Sequence, residues 1–327
     1  MIFRCKSCGG NTVYSPERKQ MYCPYCESTD NEECVPSEET ILCPACGGEL
    51  KVGDYNAALR CEYCDSYVIL EERTTGQYEP RMLLPFTKGH KDAEQILKDS
   101  FGRRRFLPDD FLSDAKLSGM EGMYVPFFLY DFDVRYTISA IGHKVRTWTT
   151  GSYQYTEDST YKVERSMIVP IEKMPVDASY EKPDPVMDLM EPYDYSQLRD
   201  FDPKFLSGFL AERYNMESEV LLPRVQGKAR EDAKSITEQT ISGYSSMTSR
   251  ADAVSFRHNS TTYAMFPVWT YFYKYMDKMY PFYINGQTGK LVGDPPQSKI
   301  KMLLYSGTVM AGIFCILIMW NVIMGLL

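Results

Sequence analysis

The sequence of 327 residues predicts an α+β protein in which two small β modules precede a larger mixed domain and one apolar helix. Three observations support this fold class. Eight of the ten cysteines form two identical quartets near the start of the chain. Most of the 25 tyrosines and 16 phenylalanines lie in the middle of the chain, where a core of useful size can form. Finally, residues 302–327 carry no charged side chain.

The cysteine quartets are two copies of one pattern, separated by 38 residues. Each copy has two Cys-x-x-Cys pairs with fourteen residues between them. Four thiolates on two tight turns form a closed tetrahedral site that suits zinc and leaves no position for substrate. The sequence therefore predicts two structural zinc ions in two zinc ribbons, residues 1–34 and residues 35–72. The predicted ligands are Cys5, Cys8, Cys23, Cys26, Cys43, Cys46, Cys61 and Cys64.

The ribbon region is acidic. Residues 1–72 hold six lysines and arginines against thirteen aspartates and glutamates, within a chain of net charge −8. Each ion with four thiolates adds about two negative charges. Such a surface repels phosphate, which argues against nucleic acid as a partner. We expect instead a basic, helical protein partner on an acidic face that includes Glu32, Glu33, Glu38 and Glu39.

After a polar linker at residues 73–81, residues 82–298 predict a soluble α+β domain with an aromatic-rich core. Hydrophobic spacing predicts strands at 82–86, 122–142, 147–155 and 161–171, and helices at 91–101, 203–214 and 219–241. A meander follows, in which 267–275 and 278–284 pair across Met276-Asp277. The dipeptide Asn285-Gly286 then predicts a tight turn, because it tolerates positive φ. The aromatic meander is interpreted as sheet core, with a partner-binding face as the alternative.

No catalytic motif stands out in the sequence. It has no P-loop, GxGxxG, GxSxG or HExxH pattern. The three histidines, His90, His143 and His258, have no second ligand at metal spacing. We therefore expect a protein without enzymatic activity and with no catalytic residues. An enzyme or sensor with a site in the central domain is the alternative. The run from Arg103 to Arg105 is either a solvated helix end or a contact for lipid headgroups or an acidic partner.

The uncharged tail, residues 302–327, predicts one transmembrane helix. Its helical length is about 39 Å, against a hydrocarbon core of about 30 Å. Lys299 and Lys301 precede it and no basic residue follows, so the positive-inside rule places the N-terminal part in the cytoplasm. We expect a single-pass, tail-anchored protein of the cell membrane; a buried core helix is the alternative.

The cytoplasmic location also bears on the cysteines. A reducing compartment disfavours a disulfide framework. A thioredoxin-type redox dithiol would need a strand-helix context that neither quartet has. Cys34 and Cys315 lie outside the quartets and are interpreted as bystanders.

Taken together, these features resemble a bacterial family, mostly of Gram-positive organisms, of TFIIB-type zinc-ribbon-containing membrane proteins of the YdjG-like type. The resemblance covers nearly the whole chain. It rests on the quartets, the closing span and the segments Leu84-Pro85-Phe86, Tyr124-Val125-Pro126-Phe127 and Asn285-Gly286-Gln287-Thr288-Gly289-Lys290. It implies a cytoplasm-facing membrane protein encoded beside a phage-shock-protein-A-like coat protein, which it would help to recruit in the envelope-stress response.

Two functions are therefore expected. The first is a tail-anchored adaptor that binds protein partners at the inner membrane face, including that coat protein and other membrane proteins. The alternative is a membrane-tethered, nucleic-acid-associated zinc-ribbon factor of replication or transcription.

Overall fold

The computed structural model describes residues 1–36 and 41–326, with side chains up to Trp320 and at Val322 in the last helix. These residues form the mixed α+β fold that the sequence predicts. A ten-stranded sheet carries helices on both faces, two small two-stranded sheets lie near the start, and one helix ends the chain.

The strands, in chain order, are β1 (Ile2–Cys5), β2 (Val13–Ser15), β3 (Gln20–Tyr22), β4 (Glu32–Val35), β5 (Asn56–Arg60), β6 (Tyr67–Ile69), β7 (Met82–Leu83), β8 (Glu121–Thr150), β9 (Tyr153–Asp177), β10 (Arg199–Asp200), β11 (Leu210–Glu212), β12 (Ser246–Tyr275), β13 (Lys278–Asn285) and β14 (Leu291–Val292). The α-helices are α1 (His90–Phe101), α2 (Asp114–Leu117), α3 (Asp184–Leu189), α4 (Ser218–Gln239) and α5 (Lys299–Leu326). Short 3₁₀ turns occur at Glu71–Arg73, Gly76–Tyr78, Tyr195–Gln197 and Pro203–Leu206.

Three long antiparallel strands form the centre of the main sheet. β8 pairs with β12 on one side and with β9 over nearly the whole length of β9. The order through the sheet is β10-β7-β12-β8-β11-β5-β6, with β13 and β14 continuing from β12. The sheet therefore extends from the central domain into the second cysteine module, which contributes β5 and β6.

Side chains of β8 alternate between two cores, as the two-residue period of a strand requires. One face contributes Tyr124, Phe128, Tyr130, Phe132, Val134, Tyr136 and Ile138 to a core that also contains residues of α1 and α4. The opposite face contributes Val125, Phe127 and Leu129 to a second core around Met187 of α3. Both faces of this segment are therefore buried. In the meander, most aromatic residues also belong to the sheet core, as interpreted, and only Phe272 is an exposed ring there; the buried rings are Trp269, Tyr271, Tyr273, Phe282 and Tyr283.

Several local predictions are confirmed. Helices α1 and α4 lie where hydrophobic periodicity places them, and β12 and β13 pair around Met276-Asp277, with Tyr275 opposite Lys278. Residues 122–142 lie in β8, and residues 161–171 lie in β9.

The predicted helix at 203–214 is wrong. This segment is a 3₁₀ turn, Pro203–Leu206, followed by strand β11. Gly208 has a φ of +100°, which no helix contains. β11 then fits between β8 and β5, so non-local pairing overrides the helical spacing.

Two predicted strands are also corrected. The predicted strand at 147–155 is interrupted by a two-residue turn, where Gly151 has a φ of +63°. The predicted strand at 82–86 is confined to Met82–Leu83.

Candidate metal centres and interaction surfaces

The four Cys-x-x-Cys turns share one backbone geometry. In each turn the residue after the second cysteine donates its N–H to the carbonyl of the first. These bonds are Gly9 to Cys5 (2.8 Å), Glu27 to Cys23 (2.9 Å), Gly47 to Cys43 (2.8 Å) and Asp65 to Cys61 (3.0 Å). All four donors have positive φ, between 58° and 73°. The duplication seen in the sequence is therefore repeated in the backbone of the turns.

The structure brings the eight predicted cysteines together as two quartets, in each of which all Sγ atoms lie within 4.8 Å of one another. The Sγ–Sγ distances between turns are 3.6 Å (Cys5–Cys26) and 3.5 Å (Cys8–Cys23) in the first quartet. In the second they are 3.7 Å (Cys43–Cys64) and 3.8 Å (Cys46–Cys61). A tetrahedron with metal–sulfur bonds of about 2.3 Å has edges of about 3.8 Å. Each quartet thus fits one metal ion.

Two serines, which sequence reasoning missed as functional residues, lie against the sulfurs. The Ser28 hydroxyl is 3.0 Å from Cys5 Sγ and 3.2 Å from Cys26 Sγ, and Ser66 is 3.1 Å from Cys64 Sγ. The Ser28 hydrogen bond lowers the pKa of the Cys5 thiol to about 6, which favours the thiolate form that binds metal. The signal was present in the sequence, because both copies read Cys-x-Ser at this point.

A tyrosine packs against each quartet in the same way. A Cβ atom built on Gly10 would lie 2.5 Å from the Tyr25 ring, and one on Gly48 would lie 2.5 Å from the Tyr63 ring. Each of these glycines is therefore required because a ring occupies the space of its side chain. The Tyr25 side chain is 71% exposed and the Tyr63 side chain is 69% exposed.

The modules are attached to the central domain by different contacts. In the first, Tyr14 N–H donates to the Ser207 carbonyl (2.8 Å), and the Ser207 hydroxyl donates to the Thr12 carbonyl (2.6 Å). In the second, β5 pairs directly with β11, with Ala211 opposite Ala58. Both modules are thus held against the central domain, the first through Ser207 and the second through β11. The domain boundaries predicted from the sequence, after residues 34, 72 and 81, stay a prediction.

Comparison with known proteins identifies a relative that matches nearly the whole chain. No family model matches the chain, and no solved structure matches it. The chain is 35% identical over 334 aligned positions to a Bacillus subtilis (strain 168) protein described as "Uncharacterized protein YdjG", covering 99% of this chain and 98% of the relative. The chain belongs to the YdjG family. That description assigns no activity, so the functional argument rests on this chain's own residues.

The turn that follows β13 in this YdjG-family protein has a structural role. The Asn285 carboxamide oxygen accepts hydrogen bonds from the backbone N–H groups of Gln287 and Thr288, at 2.9 Å each. Its amide nitrogen donates to the Met190 carbonyl at 2.9 Å. The Gln287 side chain accepts from the Asp194 N–H (2.8 Å) and donates to the Asp194 carbonyl (2.9 Å). This motif, on which the family resemblance partly rests, therefore fastens the 190–194 loop to the sheet.

The histidines and the two other cysteines lie apart. His90 begins α1, 3.4 Å from Glu94, and His143 on β8 lies 3.1 Å from Asp158 on β9. His258 lies on β12 and bonds Thr261. Cys34 is exposed in β4, and Cys315 is exposed in α5. In the part of the chain that the structure describes, no group of three or more possible metal ligands forms besides the two quartets.

One end of the long sheet is an exposed β-hairpin formed by residues 143–160, which we call the finger. β8 and β9 stay in register from His143–Thr160 to Thr150–Tyr153, beyond the start of β12. Every residue from 144 to 158 is exposed. The rings of Trp148 and Tyr155 stack at 5.7 Å, with the Arg146 guanidinium 5.7 Å from the Trp148 ring.

Helix α5 begins at the other end of the sheet. Lys299–Trp320 has a mean hydropathy of 2.1 and none of it is buried, so α5 is long and apolar enough to span a membrane. The Tyr273 hydroxyl on β12 donates to Asp110 at 2.6 Å, and the neighbouring Asp109 pairs with Lys301 of α5. From Tyr273 back to Ser246, β12 runs for about 90 Å. The finger and the apolar helix are therefore at opposite ends of one strand.

Proposed function

We propose that this YdjG-family protein is a membrane-anchored adaptor, without enzymatic activity, that binds protein partners at the inner face of the cell membrane. The observation that carries the proposal is the exposed finger, separated from the apolar helix α5 by the length of the sheet. A rigid sheet between an anchor and an aromatic, exposed tip would hold a binding surface away from the lipid.

The metal in each quartet is, in this proposal, a structural zinc ion. Four thiolates suit zinc or an iron–sulfur cluster. Sulfur–sulfur distances of 3.5 to 3.8 Å favour a single ion, because a multinuclear cluster would hold the sulfurs farther apart. With all four positions filled by sulfur, zinc would stabilise the fold and supply no open site for a substrate.

Helix α5 would be the anchor, with the folded part in the cytoplasm. Lys299 and Lys301 at its start support this orientation under the positive-inside rule. The eight quartet thiols also favour a reducing compartment.

The finger supplies the composition of a protein-binding surface. Trp, Tyr and Arg dominate the residues that contribute most to protein–protein affinity. Trp148 is 42% exposed, Tyr155 is 48% exposed and Tyr153 is 70% exposed, so these rings would lose solvent contact on binding. In the described chain β9 pairs only with β8, so its outer edge is also open to a partner strand.

A photo-crosslinking experiment on full-length protein in native membranes tests the proposal. A benzoylphenylalanine at Tyr153 on the finger is compared with one at Tyr180, whose side chain is exposed to nearly the same extent (70% and 69%) but lies outside the finger. We expect a discrete crosslinked protein band from position 153 and none from position 180. Absence of any band at 153, with intact membrane insertion, would contradict the role of the finger.

The acidic ribbon face is the second proposed contact, and by the family resemblance its partner would be a phage-shock-protein-A-like coat protein. Glu32 and Glu33 lie in β4, whereas Glu38 and Glu39 lie outside the described residues. Charge reversal of all four should weaken capture of a basic helical partner; unchanged capture would count against this contact. The nucleic-acid alternative predicts instead a steep salt dependence in filter binding.

A further inference from the structure

The loop that precedes α2 lies against the first turns of α5. The backbone N–H of Ser298 donates to the Phe106 carbonyl at 2.7 Å. One turn later Lys301 forms an ion pair with Asp109. The Phe106 ring then contacts the Tyr305 ring, with centroids 5.6 Å apart. Residues 105–109 are thus fixed along the entrance of the apolar helix.

The three consecutive arginines of this loop, Arg103, Arg104 and Arg105, are all exposed. The Arg105 guanidinium lies 5.9 Å from the Tyr305 ring, and Arg104 lies 4.9 Å from the Phe101 ring. Tyr305 is three residues past Met302, where the uncharged stretch begins, so the backbone of the residue that Arg105 contacts is about 4.5 Å along the helix from that boundary. Among the described residues, no carboxylate forms an ion pair with Arg103, Arg104 or Arg105.

The surrounding charge reinforces these arginines. Lys299 is exposed immediately before the apolar stretch. The two carboxylates of the same loop already have partners, because Asp109 is paired with Lys301 and Asp110 accepts the Tyr273 hydroxyl. Three guanidinium groups and one ammonium group therefore form no ion pair in the described chain, and one of them, that of Arg105, lies against the start of the apolar helix.

We infer that Arg103, Arg104 and Arg105 form a binding site for anionic lipid headgroups at the point where α5 enters the bilayer. The inference rests on the membrane anchorage proposed above. Each basic side chain near a membrane surface attracts anionic lipid, and arginine binds phosphate through a planar fork of donors. The contact with the Tyr305 ring positions Arg105 beside the span, and the contact with the Phe101 ring holds the adjacent Arg104 against the folded domain.

Spin-labelled lipids test the site in full-length protein reconstituted into phosphatidylcholine vesicles. Electron paramagnetic resonance measures the motionally restricted fraction of labelled phosphatidylglycerol and of labelled phosphatidylcholine. We expect association to favour phosphatidylglycerol. This preference should fall by about five-fold in Arg103→Gln, and approach one in Arg103→Gln/Arg104→Gln/Arg105→Gln. Salt at 0.5 M should lower the preference for phosphatidylglycerol as well, because the Debye length is then about 4 Å and the attraction is screened.

The control is Arg250→Gln/Arg257→Gln, at two exposed positions of β12 outside the finger and far along the strand from α5, which should leave the preference unchanged. The single variant Arg103→Gln is included because it should fold normally, since Arg103 is exposed and forms no ion pair in the described chain. Equal association of both lipids with the wild type overturns the headgroup site while leaving the anchor intact. Absence of a restricted fraction for either lipid overturns the anchorage itself. A preference that survives the triple substitution would assign it to other residues and also overturn the inference.

Discussion

The two cysteine modules have the same metal-site geometry but different roles in the fold. Their cross-turn sulfur distances agree within 0.3 Å, from 3.5 to 3.8 Å. In the first module the hairpin β2–β3 is a separate sheet, whereas in the second β5–β6 forms the last two strands of the main sheet. The difference follows from the hairpin residues. Ala57, Ala58, Leu59, Val68 and Ile69 are all buried in the second module. The cysteine turns thus determine the metal geometry, and the strands between them determine where each module packs.

Loss of one ligand should have the largest effect, and it should differ between the modules. Cys61→Ser removes a buried sulfur directly after β5, so it should loosen β11 and the main sheet as well as the second site. Cys23→Ser removes the equivalent sulfur of the first module, where the loss should stay local. We expect Cys61→Ser to lower the free energy of unfolding by about 4 kcal/mol or more, and Cys23→Ser by clearly less.

Circular dichroism melts of the full-length protein in detergent, with hydrogen exchange of β11, measure this difference. Serine keeps the size of the side chain, so each variant serves as the matched control for the other. Equal losses of stability, with equal exchange of β11, would show that the second module is no more tightly integrated than the first.

A smaller effect is expected where the first module contacts the central domain. Gly208 has a φ of +100°, and a Cβ there would lie 3.0 Å from Val13 Cβ. Gly208→Ala should therefore cost about 2 kcal/mol through backbone strain and crowding, and should free the β2–β3 hairpin from the domain. Limited proteolysis of residues 13–22 measures the release.

Gly227→Ala is the control for this change. Gly227 lies within α4, and a Cβ there would meet nothing within 4 Å. This substitution should stabilise the protein by up to about 1 kcal/mol, because alanine favours helix. If the β2–β3 hairpin resists proteolysis equally in Gly208→Ala and Gly227→Ala, the contact between Gly208 and Val13 does not hold the first module.

Removal of the serine hydroxyl should lower the metal affinity of the first site more than that of the second. Ser28 contacts two sulfurs, whereas Ser66 contacts one and also accepts a hydrogen bond from Asn11. Ser28→Ala should weaken metal binding by about ten-fold, since loss of a group that orients a ligand costs roughly this much. Ser66→Ala should weaken it less. Competition with a chromophoric chelator gives both affinities; a larger loss for Ser66→Ala would reverse the assignment.

Local features of this fold were predictable from the sequence, and non-local ones were not. The quartets, α1, α4 and the β12–β13 hairpin each depend on residues close together in the chain. The segment at 203–214 failed because β11 is placed by pairing with β5 and β8, distant in sequence. The continuity of β8 was also missed, since residues 143–146, which join the predicted strands at 122–142 and 147–155, have one apolar side chain and no alternation to signal a strand.

The smallest expected effect concerns the contact between the two modules. The Asn11 side-chain amide donates to the Ser66 hydroxyl, which also contacts Cys64. Asn11→Ala should cost about 1 kcal/mol, the usual worth of such a hydrogen bond. If the two centres are coupled through it, the double variant Asn11→Ala/Ser66→Ala should cost less than the sum of the single variants. Thermal melts of the four proteins measure this coupling. Strict additivity would mean that the contact between Asn11 and Ser66 does not couple the stabilities of the two modules.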